Sequence, residues 1–207
     1  NNDTDAAASV TDVVSINAGG LLADADADTA ADQAETLNFT GAGTTTHLYN
    51  VTGGAGADTL VGGTLADTLI GGAGADGLTG GGGTDSLDGG EGGDTYTYAD
   101  TEFVAAEVIA DSGSTGTDVV AITSTTGITD AMFANKSGLE SATLVSAVSY
   151  TLGTNAQASG ITTVGMSAAG TLVASGYTVA LTVTDANSAQ TISTGSGNDS
   201  VSLVLGG

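Results

Sequence analysis

The sequence predicts an all-β protein with a parallel β-roll at residues 53–97, flanked by segments of a β-solenoid or β-sandwich kind. Three observations support this prediction. A nine-residue repeat occurs five times in unbroken register, and short β-branched runs alternate with turns rich in Gly, Asn, Ser and Thr. Aromatic residues make up only 4% of the chain, so small aliphatic side chains must pack a thin, layered structure rather than a thick core.

The repeat is the strongest signal in the chain. The five copies read GGAGADTLV, GGTLADTLI, GGAGADGLT, GGGGTDSLD and GGEGGDTYT. Glycine fills the first two positions of every copy, and Leu65 interrupts the pattern at a fourth position. A flexible Gly-rich linker would not keep other residue types in phase. Aspartate is always sixth and an apolar residue always eighth: Asp58, Asp67, Asp76, Asp85 and Asp94, followed by Leu60, Leu69, Leu78, Leu87 and Tyr96.

Each copy predicts a tight turn, GGxGxD, followed by a short strand whose eighth residue points inward. The paired glycines permit a positive φ in the turn. Two copies make one coil of 18 residues, so every loop stacks on the next but one, about 4.8 Å away. The predicted carboxylate pairs are Asp58 with Asp76, Asp67 with Asp85, and Asp76 with Asp94.

Such stacking requires a cation. Two carboxylates about 5 Å apart repel by roughly 3 kcal/mol at an effective dielectric constant of 20. The loops offer carboxylate and carbonyl oxygens without His or Cys, and these are the ligands of Ca²⁺; Mg²⁺ demands a stricter octahedron. We therefore expect three enclosed Ca²⁺ ions, between loops 1 and 3, 2 and 4, and 3 and 5. The narrow apolar interior cannot offset the ordering entropy, so metal binding must supply folding energy.

Residues 53–97 resemble the RTX family, whose calcium repeat is G-G-x-G-x-D-x-U-x. The resemblance implies that each inner Asp can bridge two ions and that backbone carbonyls complete the shell. It also implies export through a type I secretion channel, with folding outside the cell. The phrases AETLNFTG (34–41) and FANKSGLESATL (133–144) resemble segments of large bacterial surface proteins such as S-layer proteins and giant adhesins. The implied carbonyl ligands are Gly53, Ala55, Gly62, Gly71, Ala73, Gly80, Gly82 and Gly89.

A second calcium candidate lies upstream, in DADADTAADQAE at 24–35. Its acidic residues fall at EF-hand loop positions 1, 3, 5, 9 and 12, although Thr29 replaces the usual glycine at position 6. The alternative is a solvated acidic loop. The candidate ligands are Asp24, Asp26, Asp28, Asp32 and Glu35.

The flanks predict further β-structure and two short helices. The helices are expected at Asp100–Ala106, capped by Asp100, and at Thr129–Asn135, stopped by Gly138. Degenerate repeats at Gly113–Ala121 and Thr194–Ser202 place Asp118 and Asp199 in the Asp position. The predicted strands are Val13–Asn17, Thr36–Thr40, His47–Thr52, Val119–Thr123, Leu139–Val145, Ile161–Met166, Tyr177–Thr184, Ala189–Ser193 and Ser200–Leu205.

We expect four segments: an N-terminal β segment with an acidic loop (1–52), the β-roll (53–97), a connector (98–116) and an irregular solenoid-like region (117–207). The chain ends on Gly206 and Gly207, which resembles the start of another repeat, so we expect a piece of a longer polypeptide.

Composition excludes several functions. The formal net charge of -23 disfavours nucleic acid and anionic lipid as partners. No apolar run is long enough to insert into a membrane. Motifs for zinc hydrolysis, a nucleophile elbow or phosphate binding are missing, and the lone His47 lies in a β run, so we expect no enzymatic activity.

These features favour an extracellular, calcium-dependent structural protein of the bacterial cell surface: an S-layer, sheath or filament subunit. Its expected partner is a second copy of itself, paired through edge strands, and cell-surface polysaccharide is a further candidate. Two alternatives stay open: a stalk or binding module of a large adhesin, and the secretion tail of a type I-secreted enzyme.

Overall fold

The computed structural model describes residues 12–17, 36–41, 47–99, 101–185 and 190–203. Within these ranges the chain forms coils that stack along one axis, and the strands of successive coils pair into parallel sheets. Every strand pair between named strands is parallel. Of the two predicted alternatives for the flanks, solenoid and sandwich, the structure has the solenoid.

One face is a nine-stranded sheet in the order β18-β16-β14-β12-β10-β8-β6-β4-β2. Its strands are β2 (Asn38–Thr40), β4 (Thr59–Val61), β6 (Gly77–Thr79), β8 (Thr95–Ala99), β10 (Val119–Thr123), β12 (Ser141–Leu144), β14 (Thr163–Met166), β16 (Thr182–Asp185) and β18 (Ser200–Leu203).

The opposite face is a six-stranded sheet in the order β1-β3-β5-β7-β9-β11, and a three-stranded sheet has the order β13-β15-β17. The six strands are β1 (Asp12–Asn17), β3 (His47–Thr52), β5 (Thr68–Ala73), β7 (Ser86–Glu91), β9 (Val108–Ala110) and β11 (Lys136–Ser137). The three are β13 (Ser149–Thr151), β15 (Thr171–Val173) and β17 (Thr191–Ser193).

The nonapeptides build the roll as predicted. Odd copies supply β4, β6 and β8 to the nine-stranded sheet, while even copies supply β5 and β7 to the six-stranded sheet. Leu60 pairs with Leu78, and Leu69 with Leu87, so two copies make one coil. The eighth residues all point inward: Leu60, Leu69, Leu78, Leu87 and Tyr96 are each 0% exposed.

Beyond the array the coils lengthen while the sheet continues. Val120 pairs with Tyr96 and Ala142 with Val120, on strands that extend the same ladder. The nine-stranded sheet therefore contains strands on both sides of the predicted limits of residues 53–97. The division into four segments remains a prediction.

The helix predicted at Asp100–Ala106 is wrong for the described residues 101–106, which form turns and irregular backbone. Phe103 is buried there against Tyr98 and Phe133, with ring centroids 5.1 and 5.0 Å apart. The carbonyl of Val104 accepts hydrogen bonds from Glu107 N–H and Lys136 Nζ. Tertiary packing and these contacts replace the helical ladder.

The second predicted helix exists but is shorter. A 3₁₀ turn spans Asp130–Phe133, and it ends before Asn135, whose φ is 60°. Gly138 therefore does not stop the helix; its φ of 77° serves the turn after β11, where a Cβ would meet Asp111. Helix α1 (Thr154–Ala158) was not predicted, because its cap comes from Asp130, far away in sequence.

Candidate metal sites

The repeat aspartates form a ladder along the roll. All five lie at the end of their turn, and none is more than 2% exposed. The Oδ1 atom of each Asp accepts a hydrogen bond from the backbone N–H one coil earlier. The bonds run from Asp58 to Asp76 (2.6 Å), from Asp67 to Asp85 (2.7 Å) and from Asp76 to Asp94 (2.7 Å). The structure thus brings together the three predicted carboxylate pairs.

The ladder extends beyond the nonapeptides in both directions. Upstream, Leu37 N–H and Tyr49 N–H donate to Asp58 and Asp67. Downstream, Asp94 N–H donates to Asp118, and Leu181 N–H donates to Asp199, so both degenerate repeats keep this bond. The aspartates continue to occupy the position that the sequence pattern assigns to them.

Two ladder positions were missed in the sequence. Glu107 accepts from Asp85 N–H, and Glu140 accepts from Asp118 N–H, each at 2.9 Å. Neither follows a Gly-rich turn, which is why the repeat pattern did not reveal them. The signal that could have found them is an acidic residue two positions before a buried apolar one, as in Glu107 before Ile109.

The first glycine of each repeat leaves room for oxygen atoms. A Cβ at Gly53 would collide with Asp58 Oδ2 and with the carbonyl oxygen of Gly71. A Cβ at Gly62 would meet Asp67 Oδ2 and Gly80 O, and a Cβ at Gly71 would meet Asp76 Oδ2 and Gly89 O. These three oxygen-lined cradles lie between loops 1 and 3, 2 and 4, and 3 and 5, where the sequence predicts ions.

In the third, fourth and fifth copies, the positive φ expected of the paired glycines belongs to the second member. Gly72, Gly81 and Gly90 have φ of +119°, +92° and +90°, whereas Gly71 and, in the first copy, Gly54 are not in the left-handed region. A side chain at Gly72 would also meet the carbonyl of Gly54 in the coil below. The first glycine is therefore needed for space, and the second is needed for conformation in the third, fourth and fifth copies.

Buried carboxylate oxygens in the array lack partners. Within the described structure, the Oδ2 atoms of Asp76, Asp85 and Asp94 accept no hydrogen bond. Burial raises the pKa of Asp76 to about 6 and that of Asp85 to about 7, because desolvation disfavours the charged form. Orphaned anionic oxygens next to carbonyl oxygens fit a hard divalent cation, and Ca²⁺ accepts such a ligand set.

The remaining predicted ligands are placed as follows. The carbonyls of Gly71, Gly80 and Gly89 border the cradles, and that of Gly62 faces Gly41 instead. Ala55, Ala73, Gly82 and Gly53 lie in the same turns and stay predicted carbonyl ligands. The EF-hand-like residues Asp24, Asp26, Asp28, Asp32 and Glu35 lie outside the described residues.

Comparison with known proteins agrees with this geometry. The family model for the RTX calcium-binding nonapeptide repeat matches residues 50–69 and 61–96. Searches of curated proteins and of solved structures each gave no significant match. With parallel coils, a ladder of buried aspartates and a matching family model, residues 50–96 are an RTX calcium-binding repeat array, and Ca²⁺ is the expected cofactor.

Proposed function

We propose that this chain is a structural component of the bacterial cell surface, secreted unfolded and folded by extracellular Ca²⁺. The observation that carries the proposal is the ladder of buried carboxylates, in which the Oδ2 atoms of Asp76, Asp85 and Asp94 accept no hydrogen bond from the described residues. We assign Asp58, Asp67, Asp76, Asp85 and Asp94 as metal ligands, together with loop carbonyls. The same set of ligands was expected from the repeat.

The physical reason is charge. The chain carries 24 acidic side chains and one basic one, Lys136. The Nζ atom of Lys136 donates to the carbonyls of Val104 and Glu107 at 2.9 and 3.0 Å, so it does not neutralise the repeat aspartates. Without a cation, stacked carboxylates oppose folding; bound Ca²⁺ supplies positive charge and oxygen coordination between the loops.

This dependence suits secretion. A chain that cannot fold at low free calcium stays extended during export, and it folds where calcium is abundant. Extracellular calcium modules bind with dissociation constants of about 10⁻⁴ to 10⁻³ M. RTX β-rolls are typically non-catalytic and occur in secreted proteins. Among the described residues, no helix has the length and apolar character that crossing a membrane requires.

Assembly is proposed to use the edges of the sheets. Among the described residues, strand β18 pairs only with β16, and Val201 and Leu203 are 44% and 54% exposed. An edge strand of this kind offers backbone groups and apolar surface to a second copy. Cell-surface polysaccharide remains a further proposed partner of the assembled protein.

The test is electron microscopy and size-exclusion chromatography of the chain with about 1 mM Ca²⁺ and with chelator. Ordered sheets or filaments with calcium, and their loss in chelator, are the expected result. Calcium-dependent folding with dispersed monomers would favour the stalk or secretion-tail alternatives. A β signal in circular dichroism that chelator leaves unchanged would remove the calcium switch altogether.

A further inference from the structure

A cluster of three carboxylates lies at the downstream end of the array. Asp94 ends the turn of the fifth nonapeptide, Asp111 follows β9, and Asp118 precedes β10. One oxygen of each carboxylate lies within 4.8 Å of the others. Asp111 belongs to no nonapeptide, so the repeat pattern does not account for this arrangement.

The cluster contains a buried oxygen without a partner. Asp94 is 0% exposed, and its Oδ2 atom accepts no hydrogen bond from the described residues. Its Oδ1 atom accepts one from Asp76 N–H at 2.7 Å. Asp111 is held by Gly113 N–H at 2.9 Å and by the Tyr96 hydroxyl at 3.1 Å, which orients it toward the ladder.

No basic side chain is available to neutralise the three. Lys136 is the chain's one Lys or Arg, and it is bound to the carbonyls of Val104, Glu107 and Ala134. A carbonyl oxygen lies close by, because a Cβ at Gly113 would meet both Gly90 O and Asp111 Oδ1. Carboxylates with a neighbouring carbonyl form a ligand set for a hard cation.

We infer that Asp94, Asp111 and Asp118 form an additional Ca²⁺ site, beyond the three expected between the nonapeptide loops. It takes its ligands from the last repeat and from the longer coil that follows, where 24 residues separate Asp94 from Asp118. The inference rests on the proposed calcium-dependent folding. A cation held here would extend that dependence from the array into β9 and β10.

The first experiment counts ions by native mass spectrometry of the full chain with Ca²⁺. The variant Asp111→Asn should bind one ion fewer than the wild type. The control variant Glu91→Gln should bind the wild-type number, because the exposed Glu91 carboxylate accepts hydrogen bonds from Ser114 and Thr115 and lies outside the cluster. An unchanged count in Asp111→Asn overturns the inference and leaves calcium-dependent folding intact, whereas no uptake by the wild type overturns both.

Terbium luminescence gives a second readout if Asp111→Asn does not fold. Tyr96 lies within hydrogen-bond distance of Asp111 and can transfer excitation energy to Tb³⁺ in this site. The variant Tyr96→Phe keeps every carboxylate, so it should lose part of the tyrosine-sensitised emission while binding the wild-type number of ions. Emission that stays at the wild-type level in Tyr96→Phe would contradict the site.

Discussion

The backbone N–H of Asp67 donates a hydrogen bond of 2.7 Å to Oδ1 of Asp85, 18 residues later in the chain. The bond stacks two carboxylates that would otherwise repel each other. It recurs along the roll, so each Asp side chain organises the turn of the previous coil while its second oxygen faces the cradle. The geometry of the turn and the capacity to hold a cation therefore depend on the same residue.

Replacing Asp76 by Asn should weaken calcium binding. The amide oxygen can still accept from Asp58 N–H, but one anionic ligand is lost from the middle of the ladder. We expect the calcium midpoint of folding to rise by at least about tenfold, since one charged ligand is worth more than about 1.4 kcal/mol. A calcium titration followed by circular dichroism measures this midpoint, with Glu91→Gln as the control. Equal midpoints for both variants would contradict the assignment of Asp76 as a calcium ligand.

Replacing Gly71 by Ala should destabilise the calcium-bound roll. The added Cβ would meet Asp76 Oδ2 and Gly89 O, and overpacking typically costs about 1–3 kcal/mol. Gly54→Ala is the matched control, because a Cβ there has nothing within 4 Å and should change stability by no more than about 0.5 kcal/mol. Denaturant unfolding with calcium compares the two, and similar losses in both would argue against the cradle.

Acidification should favour folding when calcium is removed. The pKa values of Asp76 and Asp85 are raised from 3.8 to about 6 and about 7 in the folded protein. The folded state therefore binds protons more tightly than the unfolded state, and the free energy of unfolding rises as pH falls from about 7 toward 4. In chelator, the β signal in circular dichroism should be larger at pH 5 than at pH 8.

Saturating calcium should reverse that pH dependence. Protons compete with the metal for the same carboxylates, so calcium-bound protein should lose stability as pH falls through the same range. Thermal unfolding at pH 5 and pH 8 with excess calcium makes the comparison. The same direction of change in chelator and in calcium would show that these carboxylates do not hold the ion.

Lys136→Met should destabilise the segment after the array without reducing the number of bound ions. The Nζ atom donates to Val104, Glu107 and Ala134 carbonyls and lies 4.8 Å from the centre of the Phe103 ring. Each buried carbonyl left without a donor lowers the free energy of unfolding by about 1–3 kcal/mol. We expect a lower melting temperature in calcium, and Lys136→Gln, which keeps a donor, should lose less; wild-type stability in both would contradict this role.

Asp130→Ala should unfold helix α1 locally. Its carboxylate accepts from Gly153 N–H at 2.7 Å and from Ala156 N–H at 3.0 Å, thereby capping a helix whose N-cap residue, Gly153, has no side chain to do so. Loss of a cap typically costs about 1–2 kcal/mol. Hydrogen exchange at Gly153 and Ala156 should accelerate, whereas Asp130→Asn, which keeps an acceptor, should show a smaller change. Unchanged exchange in Asp130→Ala would exclude the cap.

Local periodicity determined the roll from the sequence alone. A turn of six residues followed by a strand of three places every Asp and every inward Leu by position, so the 18-residue coil follows from counting. The structure confirms this in the pairing of Leu60 with Leu78 and in the bond between Asp58 and Asp76. The expectation of Ca²⁺ followed from the kind of oxygen ligand and the unbalanced charge.

Only the tertiary structure decided how the ladder continues beyond the array. Glu107, Glu140 and Asp111 follow no nine-residue spacing, and longer coils bring them into line because the sheet keeps its register while the loops change length. Packing of Phe103 and Lys136 likewise replaced a helix that local propensity favoured. The positions of Asp and Leu within a coil follow from a fixed nine-residue period, which can be counted in the sequence. Contacts between coils of unequal length depend on which strands are neighbours in the sheet, and only the tertiary structure determines this.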